Sequence, residues 1–199
     1  DRLINAIQSL NLQEMQTIPV SRPRKLTLWQ KRYLDALDTY IMIFPHDAAT
    51  AEKLLASGII LYHNGRFGRA EKYFRTMDYY FPTSAFSNIA RAMAIEMTFQ
   101  QQRLPETVAE CRQLMQLNMP EDVLNYARQR FAAANYLYAI ALTDSGYPLK
   151  AAAAYADIYE YVPTVDFADR ALYNAGKIYY AEKQYRRALA MFARIERYY

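Results

Sequence analysis

Apolar and small residues recur every three or four positions along most of this chain. In 51–82, Leu54, Ser57, Gly58 and Leu61 are followed, after a short polar break, by Ala70, Phe74 and Met77. That spacing places each set on one face of an α-helix and predicts two amphipathic helices joined by a turn. The order returns in 134–163 as Asn135, Tyr138, Ala139 and Leu142, then Ala151, Tyr155 and Ile158. It returns again in 169–199 as Leu172, Ala175, Gly176 and Tyr179, then Ala188, Phe192 and Ile195. Gly58, Ala139 and Gly176 fall where one helix would cross its partner closely, as do Ala70, Ala151 and Ala188 on the second helix. Gly65 and Gly146 fall in the turns, where a left-handed residue can end a helix without steric penalty.

Prolines give an independent register. Pro45, Pro82, Pro120 and Pro163 each close an apolar helical stretch, at separations of 37, 38 and 43 residues, a period expected of stacked helix pairs. The copy at 84–120 is degenerate. Ala90, Met93, Ala94 and Met97 fit its first helix, and Thr107, Cys111 and Leu114 fit the second if one residue is inserted in the QQQRLPE turn. Upstream, 26–45 reads as a lone second helix with Tyr33, Leu37 and Tyr40 on its stripe. Residues 1–25 read as one more helix, carrying Leu3, Ile4, Ile7 and Leu10, followed by a proline-containing linker. Asp47, Ser84 and Asp166 are placed to cap helix starts. The pattern predicts an all-α chain of about ten helices: the half unit 26–45 and units 48–82, 84–120, 121–163 and 166–199.

The set Leu54, Gly58, Tyr62, Gly65, Phe67, Ala70, Phe74 and Pro82 resembles the tetratricopeptide repeat. So does Leu172, Gly176, Tyr179, Tyr180, Tyr185, Ala188 and Phe192. The resemblance covers roughly 33–199 and implies a right-handed α-solenoid of antiparallel helix pairs. The chain departs from the family pattern in three places: no glycine stands in the turn at Lys183-Gln184, one residue is extra near Arg103, and the first helix of 121–163 is long. The joints YYFPTSAFSNIARAMA and YVPTVDFADRALYNAGKIYY resemble those of tetratricopeptide proteins of the bacterial envelope, such as the outer-membrane assembly lipoproteins and the Tol and Pal coordinator. That likeness implies an envelope scaffold in the periplasm or at the outer-membrane periphery, with a cytoplasmic repeat protein as the other reading.

Composition supports helices. Five glycines and few valines among 199 residues do not suit a β-sandwich or barrel, and 53% hydrophobic content excludes a disordered chain. No apolar run approaches the ~20 residues that cross a bilayer. One cysteine, Cys111, cannot close an intrachain disulfide, and its place on a helix stripe suits a core residue. Net charge is +4, with an acid-free basic stretch at Arg22, Arg24, Lys25, Lys31 and Arg32 and more positive charge in 170–199. The middle of the chain is net acidic. A nucleic-acid footprint would be continuous, so that partner is disfavoured, while the basic stretch could meet anionic lipid headgroups or serve as a solvated linker. No metal-spaced cluster, phosphate-cradling loop or nucleophile motif occurs, so neither catalytic nor metal-binding residues are assigned and no cofactor is expected. His46 and His63 lie in turn-like contexts, and His63, at a helix end, is where the dipole favours a cation.

The candidate chemistry is therefore binding. Tyr62, Tyr136, Tyr173 and Tyr180 fall one helical step off the packing stripe, on the face that lines the inner groove when such pairs stack. Arg91, Ile95, Ile140, Arg170 and Lys177 share it. Rigid amphipathic rings with cations between them suit a protein or peptide segment, especially an acidic one. Two alternatives are an accessory domain of a cell-wall enzyme, with rings stacking on sugars, and self-association through the C-terminal helix pair, where Phe192, Ile195 and Tyr198 would meet a neighbour.

Overall fold

The computed structural model describes residues 23–198. Within them the chain is all-α, built of helix pairs. The helices are α1 (Leu28–Ile43), α2 (Ala48–His63), α3 (Phe67–Tyr80), α4 (Ser87–Gln100), α5 (Leu104–Met115), α6 (Glu121–Asp144), α7 (Pro148–Tyr161), α8 (Ala168–Ala181) and α9 (Tyr185–Tyr198). The expected helix in 1–16 lies outside the described residues. The expected long first helix is α6, of 24 residues.

Each hairpin turn has one construction. Three residues separate α2 from α3, α4 from α5, α6 from α7 and α8 from α9, and the middle one is left-handed: Gly65 at φ 67°, Gln102 at 58°, Gly146 at 78° and Lys183 at 60°. Glycine adopts this conformation freely, whereas Gln102 and Lys183 do so against a steric cost of about 1 kcal/mol. The turn at Lys183 thus has the same left-handed middle residue as those at Gly65 and Gly146, without their glycine. The turn at Gln102 is no longer than the others, so the residue expected as an insertion there does not lengthen the connection.

The joints after Pro82 and Pro163 also match each other. Ser84 N–H donates to Phe81 O at 3.0 Å and Ser87 N–H to Ser84 O at 3.0 Å; Val165 and Ala168 repeat this on Val162 and Val165 at 3.3 and 2.9 Å. These turns occupy the places where Ser84 and Asp166 were expected to cap helices. The helices start later, at Ser87 and Ala168, with Phe86 and Phe167 at the caps and no side-chain cap bond. Asp47 does cap α2, its carboxylate accepting from Ala49 N–H at 2.8 Å.

The described residues divide into two compact units: 23–102 with 119–126, and 103–118 with 127–198. The division passes through the α4–α5 turn, inside the degenerate repeat. In the first unit α3 packs on α2 and α4 around Leu54, Leu61, Phe74, Met77, Met93 and Met97, all essentially buried. Asp38 ties α1 to α3 by accepting from Tyr73 OH at 2.6 Å and Arg69 Nη2 at 2.7 Å. Leu34 and Leu37 form the buried stripe of α1. Tyr33, expected there, is 42% exposed, and Tyr40 is half-buried with its hydroxyl donating to Asp47 at 2.7 Å.

In the second unit α8 packs on α7 and α9. Ala151, Ala171, Leu172, Ala175 and Ile158 are wholly buried there, as is Cys111 of α5. The Arg112 guanidinium lies 4.6 Å from the Tyr161 ring centroid and donates to Asp157 at 2.9 Å, fastening α5 to α7.

Close crossing sets the geometry of both glycine-bearing pairs. A Cβ on Gly58 would stand 2.5 Å from the Phe74 ring, and one on Gly176 would stand 2.5 Å from the Phe192 ring. Gly58→Ala gains about 1 kcal/mol of helix propensity but forces a wholly buried ring aside at about 1–3 kcal/mol. Chemical denaturation is expected to show a net loss at Gly58 and a smaller one at Gly176, because the Phe192 ring is partly exposed and has room to move.

His63 behaves opposite to the dipole expectation. Burial at the end of α2, with the Arg24 cation nearby, pushes its pKa below the ordinary 6.5. The unfolded chain therefore binds a proton that the folded chain refuses, so stability is full above about pH 6.5 and falls on acidification through the lowered folded value. His63→Gln is expected to flatten the fall in stability as the pH drops below about 6.5.

Candidate functional site

The residues expected to line a groove separate into two groups. Tyr62 is 0% exposed and Ile95 5%. Tyr62 packs its ring 6.0 Å from that of Phe67 in the core of the first unit. Both therefore leave the candidate set: on α2 and α4 the face one step off the stripe is itself packed. Arg91 is half-buried and its Nε donates to Asp78 at 2.6 Å, so its charge is already matched.

The other six come together in the second unit. On α8, Arg170, Tyr173, Lys177 and Tyr180 follow one another at three- and four-residue spacing and are all exposed, Tyr173 by 51% and Tyr180 by 63%. That spacing aligns them along one face, opposite the buried Leu172, Ala175 and Tyr179. The matching face of α6 carries Tyr136, half-buried, and Ile140, 40% exposed. Asn174 joins the helices by donating from Nδ2 to Tyr136 OH at 3.3 Å. Tyr136 is further held edge-on by Tyr155 and Phe167, with centroids 5.1 and 5.6 Å away. This ring is thus fixed before any partner arrives.

The cations on this face are unpaired, with exposed Asp144 one turn beyond Ile140 at the end of α6. Among the described residues neither Arg170 nor Lys177 has a carboxylate partner. Lys177 Nζ instead rests 5.6 Å from the Tyr173 ring centroid, within cation–π range. Tyr185, a repeat position in the sequence pattern, extends the face. It opens α9 just beyond the Lys183 turn, which brings its ring to 5.5 Å from Tyr180. Leu137, 38% exposed beside Tyr136, was passed over. The repeat spacing held the signal for Tyr185, because the first residue after each tight turn sits beside the end of the preceding helix.

The histidines stand apart from this face. His46 is exposed and packs edge-on against Tyr80 at 5.2 Å, and among the described residues no group of acidic, histidine or cysteine side chains could hold a metal ion.

No family model matches the chain, and no curated protein matches it. Among solved structures it is similar to "Crystal structure of MamA", at 17% identity and a TM-score of 0.42, over 87% of this chain and 95% of that one. It is also similar to "Crystal structure of YrrB: a TPR protein with an unusual peptide-binding site", at 14% identity and a TM-score of 0.42, over 98% of this chain and 91% of that one. At that level of likeness the repeat reading rests on the chain's own turns, crossings and helix pairs.

Core and face tyrosines should respond differently to truncation. Tyr62→Ala is expected to cost about 3–5 kcal/mol in a denaturation experiment. Tyr180→Ala is expected to stay within about 0.5 kcal/mol of the parent.

Proposed function

We propose that this chain is a protein-interaction scaffold that docks an acidic partner segment on the α6–α8 face of its second unit. The observation that carries the reading is the combination on one face of exposed Tyr173 and Tyr180, unmatched Arg170 and Lys177, and a pre-positioned Tyr136. Exposed rings give contact area at little entropic cost, and the two cations attract and orient a carboxylate. Neighbouring helix axes lie about 8–10 Å apart, so an extended segment crossing both helices needs about six residues at about 3.3 Å each. A function in bacterial envelope assembly is supported by the resemblance of the two proline joints, whose matching hydrogen bonds make them one repeated local structure.

A library of random hexapeptides displayed on phage would supply the probe. Selected sequences are expected to be enriched in Asp and Glu and to bind the parent chain in a fluorescence-polarisation titration. Tyr173→Ala combined with Lys177→Glu should weaken them at least tenfold, whereas Tyr79→Ala, a 78% exposed control in the first unit, should leave them unchanged. Equal affinity for the double variant, with its helicity intact, defeats the proposal.

Self-association is the second reading, favoured by one residue. Leu189 of α9 is 69% exposed, yet Glu71 and Ala152, at the same register in earlier repeats, are buried at 8% and 0%. Light scattering on the parent and on Leu189→Glu decides it: the reading requires an oligomer that the charge disperses.

A further inference from the structure

The face of α1 turned away from the core is not absorbed by the docking site. Leu34 and Leu37 mark the buried side of this helix. The opposite stripe, by helical spacing, is Leu28, Trp29, Arg32, Ala36, Thr39 and Ile43, and every one of these is exposed. The apolar members are large: Leu28 is 60% exposed, Trp29 76% and Ile43 57%. Met42 and Phe44 extend the apolar end at 77% and 51%. These large apolar residues gather at the two ends of the stripe, with Arg32, Ala36 and Thr39 between them, and such clusters call for an explanation where single exposed residues do not.

The charges at the Trp29 end of this stripe are basic, while Asp35, its side chain 74% exposed, lies one turn further along α1. Lys25, Lys31 and Arg32 are exposed and have no carboxylate partner among the described residues. Arg32 rests its guanidinium 5.7 Å from the Trp29 ring centroid, so charge and ring sit side by side. The acids of α1 are directed elsewhere: Asp35 and Asp38 both meet Arg69, at 3.6 and 2.7 Å. No acidic residue occurs between Arg22 and Leu34.

Two contacts hold the arrangement in place. A capping box fixes the start of α1, with Thr27 Oγ1 accepting from Gln30 N–H at 3.2 Å and Gln30 Oε1 accepting from Thr27 N–H at 2.9 Å. The preceding strand of chain is pinned where Arg24 N–H donates to Asn64 O at 3.0 Å. Trp29 and its basic neighbours are therefore presented on a fixed helix.

We propose that α1 is a peripheral attachment site for an anionic lipid surface. Its outward stripe would lie in the interface, with Trp29 at the headgroup level and Lys25, Lys31 and Arg32 against lipid phosphates. A lipid surface suits this face better than a folded acidic protein does. The face belongs to the single helix α1, and a fluid interface supplies burial without shape complementarity. No helix among the described residues is long and apolar enough to cross a membrane, so attachment here is surface binding. This site is independent of the α6–α8 face.

Trp29 is the chain's one tryptophan and reports on the site directly. Vesicles of phosphatidylcholine, with and without phosphatidylglycerol, are titrated against the whole chain while its emission is followed. The expected result is a blue shift on the anionic vesicles alone, reversed by high salt. Combining Lys25→Glu, Lys31→Glu and Arg32→Glu should weaken partitioning about a hundredfold, given about 1 kcal/mol for each basic residue near an anionic surface. Of the three sites only Lys31 lies in the first turn of α1, where an acid suits the helix dipole, and circular dichroism checks that the variant keeps the helix. The salt series on the parent chain tests the charge dependence without any substitution. An unshifted emission on anionic vesicles, or undiminished partitioning of the folded variant, overturns the proposal. So does polyglutamate that shifts Trp29 and displaces the vesicles, since that result assigns the face to an acidic protein.

Discussion

A phenyl ring lying where a side chain is missing sets the closeness of the helix pairs on which this chain depends. Phe74 occupies the space a Cβ on Gly58 would claim, and Phe192 does the same at Gly176. Two helix backbones can approach this far only if one of them gives up its side chain at the crossing, and the ring then fills the gap at interior density. Ala139 and Tyr155 take the corresponding places in the intervening pair, where both are buried. Once a pair is closed at this distance, its short turn has little freedom. All four hairpin turns have three residues with a left-handed middle one, even where Gln102 and Lys183 must adopt the conformation at a steric cost.

That packing also decides which side chains remain available. On α2 the face next to the stripe is as buried as the stripe itself, so Tyr62 belongs to the core of the first unit. On α8 the same positions are open, and they hold Arg170, Tyr173, Lys177 and Tyr180. The exposed rings and cations of this face therefore concentrate in the second unit. The polar contacts on that face, Asn174 to Tyr136 and Lys177 over Tyr173, hold rings in place and leave the cations unneutralised. Preorganisation of this kind lowers the ordering cost a partner must overcome.

The two positively charged surfaces differ in form. The α6–α8 face is built from neighbouring helices and offers separated anchor points, which suits a segment with side chains of its own. The stripe on α1 belongs to one helix, with apolar and basic residues intermingled and its acids drawn to Arg69.

Spacing alone determined the helix pairs, the close crossings at Gly58 and Gly176 and the left-handed turns at Gly65 and Gly146. Each depends on residues within one hairpin of each other, and local sterics leave few alternatives. Spacing also singled out Tyr173, Lys177 and Tyr180, because their positions follow from the helical period. What it could not determine was which copies of that face stay open. Tyr62 and Tyr180 occupy equivalent places one step off the stripe, yet one is buried and the other exposed. The environment of such a residue is set by what packs over it from elsewhere in the fold. The same holds for Arg91, whose charge is matched by Asp78 across the α3–α4 joint, and for His63, where burial outweighs the helix dipole. Periodicity assigns a residue to a face, and only tertiary packing decides whether that face meets water, because burial depends on neighbours that a local pattern does not contain.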